Sequence, residues 1–257
     1  MAQHAPDVAV ARPAPATREW LPTALAAVAI AAFFAALTLG RDFVDVFVEE
    51  DGPVEWLGAI GLFAGAGLFF AAFLVARRRG ADAVGLSRLG VWVLLALALA
   101  LFVAGGEEIS WGQRLFGWGT PDSIAAVNAQ DETTLHNLTE FQSGALDGDR
   151  LFKLAWLGLF VLIPLVAVGW PRARAWLSRL VPIVPLRLTA LFVLTWVLAT
   201  IATHALDGHY SSIYPLTHAV SEVEEAVVES LAGVGALLVF LRLWRRPPPE
   251  PEPAAPA

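Results

Sequence analysis

His218, Glu222, Glu225 and Glu229 stand at i, i+4, i+7 and i+11. On an α-helix that spacing is a single stripe along one face. Its neighbours Ala219, Val220, Val223, Ala226, Val227 and Val228 are apolar, and Glu224 is the one acid that leaves the stripe. Carboxylate oxygens and imidazole nitrogens suit zinc, iron or manganese. Cysteine is absent, which excludes disulfides, thiolate zinc sites, iron–sulfur clusters and cysteine nucleophiles. The plainer reading is that the helix starts in water and its glutamates solvate the first turns, where acidic side chains are favoured.

A second block is Gly105-Gly106-Glu107-Glu108-Ile109-Ser110-Trp111-Gly112-Gln113-Arg114. If helical throughout, it sets Glu107, Ser110, Trp111 and Arg114 on one face. Glu107, Glu108, Ser110 and Arg114 are the catalytic candidates. A contact from Arg114 to Glu107 is stretched, so a bridge to Glu225 or Glu229 is an equal candidate. Trp111 has a commoner role as an interface anchor.

The segment from Glu107 to Arg150 is too long for an idle connection. Thr120-Pro121-Asp122 reads as a helix start, with proline at the first helical position. A helix from Asp131 to Phe141 would place Glu132 and His136 at i and i+4, with Leu135 and Leu138 on an apolar side. Gln113, Asn128, Gln130 and Asn137 add hydrogen-bonding groups near this pocket. His204 and Asp207 stand at i and i+3 before Gly208, a natural helix stop. His204 either shields the last carbonyls of its helix or joins a metal or proton site. The metal-ligand candidates are therefore His136, His204, His218, Glu222 and Glu225, with Glu229, Asp207 and His209 close by in the pattern.

These groups need a scaffold, and composition supplies it. Of the 257 residues 57% are apolar and 16% charged, and the mean hydropathy is +0.62. A soluble domain carries about 25% charge, so a soluble fold is excluded. The net charge of −7 with scattered basic residues excludes a nucleic-acid partner. About 20 apolar residues span a bilayer core, and six such runs are expected, at residues 20–40, 56–76, 89–108, 151–170, 188–206 and 217–244. The chain thus reads as an all-α, six-span bundle over residues 19–246, with a loose tail at 1–18, a Pro-rich polyproline-like tail at 247–257 and a partly helical segment between spans three and four. Thirteen of the seventeen basic residues fall on one side, which by the positive-inside rule predicts both termini in the cytoplasm.

Twenty helical residues counted from the last inner arginine give a ruler for depth. It runs from Arg88 to Glu108, from Arg187 to Asp207 and from Arg242 back to Glu222. Three helices then bring ionisable groups to one layer near the outer edge of the hydrocarbon, with Glu229 about 10 Å deeper. A carboxylate facing lipid there costs about 3 kcal/mol or more, so the stripe must face inward. Gly61 and Gly65 predict a close helix approach in span two.

The block from Gly106 to Arg114, with Asn128, Gln130, Glu132 and Leu135-His136-Asn137 and a glutamate-rich last span, resembles an uncharacterised family of bacterial multi-pass membrane proteins. A fainter likeness is to the membrane hydrolases that include alkaline ceramidases and adiponectin-receptor-like proteins. Ser110 after Glu107 is similar to their Glu/Ser element, and His218 to Glu222 occupies the spacing of their late histidine pair. That likeness implies zinc and lipid hydrolysis. The chain departs from it in carrying glutamate for the second histidine, six expected spans rather than seven, and no middle His-Asp element.

The leading expectation is a multi-pass protein of the bacterial inner membrane, in contact with membrane lipids, with a metal-dependent hydrolytic site at the outer boundary. A transporter or proton-coupled conduit, a structural membrane protein and a haem-binding carrier are the alternatives.

Overall fold

The computed structural model describes residues 17–49, 51–128, 131–135, 138–139, 148–206 and 216–246. The fold is all-α: α1 Thr17–Ala36, α2 Arg41–Val48, α3 Pro53–Arg79, α4 Arg88–Glu108, the single turns α5 Gln113–Phe116 and α6 Asp122–Ala125, α7 Gly148–Trp156, α8 Ile163–Gly169, α9 Pro171–Leu180, α10 Leu186–Leu206 and α11 Leu216–Trp244. The two expected tails fall largely outside the described residues.

Among the described residues five segments are long and apolar enough to cross a membrane, namely Arg41–Arg79, Arg88–Glu108, Arg150–Gly169, Leu186–Ala205 and His218–Trp244. This is a multi-pass membrane bundle by length and composition. The expected first span, residues 20–40, needs correction. Its apolar helical stretch is Leu21–Ala36, about 24 Å at 1.5 Å per residue against a core about 30 Å thick. The helix ends early because residues 37–39 turn and Gly40 adopts φ 110°, a value open to glycine, before the chain restarts as α2.

The centre of the bundle is α3 against α11, with α4 on α3 and α10 on α11. Small residues set that contact. A Cβ on Gly61 would stand 2.7 Å from the Ser230 Cα, and one on Gly233 2.6 Å from the Gly61 carbonyl oxygen. The backbones touch as the spacing of Gly61 and Gly65 predicts. Leu62, Leu94, Phe192, Val223, Ala232 and Ala236 fill the surrounding core.

The span over α7 and α8 is continuous through one π-helical stretch, Leu157–Leu162. Pro164 follows two residues on and has no amide to offer the carbonyl four residues back. That carbonyl, on Phe160, accepts a 2.8 Å hydrogen bond from the buried Thr189 hydroxyl of α10. The irregular turn is thereby satisfied inside the protein, as backbone at membrane depth requires.

The two ends of the bundle differ in charge. At one end Arg79 donates to the carbonyls of Leu243 and Arg246, and Ser87 caps α4 while bonding the Arg179 carbonyl. At the other end lie the acids.

Candidate metal centre

α4 delivers two consecutive glutamates in opposite directions. Glu107 turns towards the outer segment, where its Oε1 accepts from the Trp111 indole at 2.7 Å and its Oε2 from the Leu135 amide. Glu108 turns towards α11. One carboxylate oxygen each from Glu108, Glu225 and Glu229 lie within 4.8 Å of one another. Glu229 is 1% exposed, and its Oε1 has no hydrogen-bond partner among the described residues.

Gly58 of α3 makes the room. A Cβ there would stand 2.1 Å from Glu229 Oε2 and 3.3 Å from the Ala226 Cα. Glu55, one turn earlier, and Glu222 lie near enough for their charges to act on Glu108. Glu224 leaves the stripe as the spacing predicts, and sits instead beside Lys153 and Trp196.

Magnitudes constrain what this cluster can be. Two like charges 4.8 Å apart repel by roughly 3.5 kcal/mol at an effective dielectric of 20. Three such pairs rival the whole stability of a domain, about 5–15 kcal/mol. The trio therefore needs positive charge within it, either a metal cation or protons shared between carboxyl groups. Three oxygen donors form a hard set, suited to manganese, magnesium, calcium or ferrous iron more than to zinc, and leave coordination positions for water or substrate.

The block beyond Glu108 is not the continuous helix expected from its sequence. α4 ends, and Ser110, Trp111 and Gly112 take φ values of 45°, 55° and 78° in succession. Left-handed backbone at the two non-glycine residues stores about 1–3 kcal/mol each, so Glu107, Ser110, Trp111 and Arg114 do not share a helical face. Their side chains account for the distortion. The buried Ser110 hydroxyl donates to Glu132 Oε2 at 2.8 Å, and the Trp111 ring packs where a Cβ on Gly106 would stand.

Arg114 is also placed differently from expectation. Among the described residues its ion pairs run to Asp51 Oδ2 at 2.9 Å, Glu55 Oε1 at 2.7 Å and Glu132 Oε1 at 2.6 Å. One guanidinium thus ties the start of α3 to the outer segment, beside the trio. Arg114→Lys keeps the charge but loses the planar fork. We expect local opening of residues 131–135 to become easier by about 2 kcal/mol, roughly a thirtyfold rise in exchange rate, from hydrogen–deuterium exchange of the Glu132, Thr133 and Leu135 amides. Unchanged exchange would show that Arg114 does not hold this segment.

Gln113 and Asn128 act as staples in the same segment. Gln113 Nε2 donates to Thr120 Oγ1 at 2.8 Å and its Oε1 accepts from the Thr133 amide at 2.9 Å. Asn128 is buried, donates to the Thr134 carbonyl at 2.9 Å, accepts from the Glu132 amide, and pairs with Leu138 in an isolated antiparallel bridge. The helix expected from Asp131 is not formed over residues 131–135, where Asp131 itself has φ 57°. A helix does start at Asp122 after Pro121.

The described histidines stay out of the trio. His218 Nδ1 lies 3.5 Å from Glu222 Oε1, with both side chains partly exposed, and His204 is exposed near the end of α10. Gln130, His136, Asn137, Asp207 and His209 lie outside the described residues. Glu55 was absent from the sequence candidates, although the depth ruler could have found it: twenty residues back from Arg77 is Leu57, within one turn.

Comparison with family models, curated proteins and solved structures finds no match to this chain. The site must therefore be read from its own chemistry.

Proposed function

We propose that this chain is a membrane metalloprotein of the bacterial inner membrane, with its arginine-rich C-terminal end cytoplasmic. In this reading Glu108, Glu225 and Glu229 bind a divalent cation, manganese or iron before zinc, and the protein hydrolyses an ester, amide or phosphodiester of a membrane lipid at the outer edge of the hydrocarbon. The convergence of three carboxylates on one point, with buried Glu229 Oε1 lacking a hydrogen-bond partner among the described residues, carries the proposal. The likeness of the Gly106–Arg114 block to bacterial multi-pass proteins belongs to the same proposal.

A bound cation of this kind lowers the pKa of its water and polarises an ester or phosphoryl oxygen. The residues of the chain supply the rest. In this reading Glu222, partly exposed and 3.5 Å from His218 Nδ1, is the group that accepts a proton and passes it to His218. Ser110 is buried and donates its hydroxyl to Glu132, so it holds the outer segment rather than attacking substrate. A conduit fits less well, because beyond Glu229 the facing surfaces of α3, α4 and α11 close with Leu62, Leu101, Leu231 and Ala232.

The test uses the purified protein in lipid nanodiscs, stripped with chelator and then given Mn²⁺, with lipid products followed by mass spectrometry. Release of fatty acid, long-chain base or headgroup only with metal, and its loss in Glu108→Gln, is the expected result. Metal binding with no lipid turnover would remove the hydrolytic half of the proposal.

A further inference from the structure

The arginine-rich end of the bundle, remote from the acidic trio, encloses a cavity of about 570 Å³. It is framed by the turn at residues 84–86, α4, α8, α9, the connection at 182–185, α10 and α11. Among the described residues its charged lining is wholly basic: Arg174, Arg187, Arg242 and Arg246, with Ser178 beside them. Its remaining walls are apolar, with Leu94, Val168 and Leu238 on the side of the helical core.

This end is built rather than frayed. Arg246 Nη1 donates to the Val84 carbonyl, and its guanidinium lies over Gly85, where a Cβ would stand 2.2 Å from Nη1. Gly85 has φ 72° and so can hold that close approach. Trp170, Trp176 and Trp244 are each more than half exposed on neighbouring elements. Tryptophan is enriched at the headgroup level of membranes, which sets the mouth of the cavity at the lipid interface.

One half of the cavity attracts an anion and the other half excludes water. A free phosphate would use only the first half. A phospholipid uses both, its phosphodiester among the arginines and its glycerol and acyl carbons along α4, α8 and α11. Cavities of about 300–1,000 Å³ suit ligand groups of this size, and basic pockets between membrane helices recognise anionic headgroups. We propose that this cavity is a binding site for the headgroup of an anionic membrane phospholipid. It is separate from the metal centre and stands whether or not that centre binds metal.

The test is native mass spectrometry of the full chain released from nanodiscs of equal phosphatidylglycerol and phosphatidylcholine, with and without millimolar inorganic phosphate. Phosphatidylglycerol should be retained selectively and should survive phosphate. At roughly fivefold per arginine, the Arg174→Gln/Arg242→Gln double variant should weaken that retention by about tenfold or more. Both residues are exposed, so the fold should persist, and unchanged circular dichroism checks it. Arg172→Gln/Arg245→Gln removes two exposed arginines that do not line the cavity and should change retention little. Equal retention of both lipids, displacement by phosphate, or equal losses in the two double variants would overturn the proposal.

Discussion

Glu229→Gln is expected to lower the affinity for Mn²⁺ by on the order of a hundredfold or more, since even outer partners of metal ligands are worth about 10–100-fold. In chelator the same variant should melt no lower than the parent chain, because a neutral amide relieves the like-charge contact with Glu108 and Glu225. Thermal unfolding with Mn²⁺ and with chelator checks both halves. A purely structural role for Glu229 predicts the reverse: a lower midpoint in both conditions, and no response to metal in either protein.

Gly58→Ala is the second large effect. The new methyl would occupy the place of Glu229 Oε2 and press on the Ala226 Cα, so the carboxylate must swing out of the trio. We expect metal affinity to fall at least about tenfold, with a stability cost of about 1–3 kcal/mol for the overpacked contact. Gly67→Ala on the same helix is the control. No heavy atom of the described residues lies within 4 Å of a Cβ there, and alanine gains up to about 1 kcal/mol of helix propensity. Equal effects at Gly58 and Gly67 would mean that α3 does not shape the site.

How much of this was legible in the sequence follows from which forces are local. Long apolar runs bounded by arginine gave the later spans closely, since burial in lipid is decided by composition over about 20 residues. Periodicity alone put Glu225 and Glu229 on one face and sent Glu224 away from it. The depth ruler set Glu108 level with Glu222 and Glu229 about 10 Å deeper, whereas in the structure Glu108 meets Glu225 and Glu229. Gly61 and Gly65 signalled a close helix approach, though not that α11 would make it.

The failures are places where tertiary contacts override a local pattern. The run after Glu108 has helical spacing, but three left-handed residues are held by Glu132, by Glu107 and by the space at Gly106. Spacing offers Arg114 a partner in Glu107, Glu225 or Glu229, whereas Glu55 and, just before α3, Asp51 reach it through the packing of α3, which no sequence interval encodes. Histidine is a metal ligand by type. In the structure the described ones lie outside the converging oxygens, so the inferred metal shifts from zinc towards a harder cation. The first span failed on a few residues, where Gly40 turns the chain.

The most direct measurement is the position of a bound ion. Crystals or membrane-mimetic samples of the full chain, soaked with Mn²⁺ and recorded for anomalous scattering, should show one strong peak between α4 and α11, about 2.0–2.6 Å from oxygens of Glu108, Glu225 and Glu229. A map with no peak there, and with the carboxyl groups of those three residues in hydrogen-bonding contact at Mn²⁺ saturation, would contradict the account.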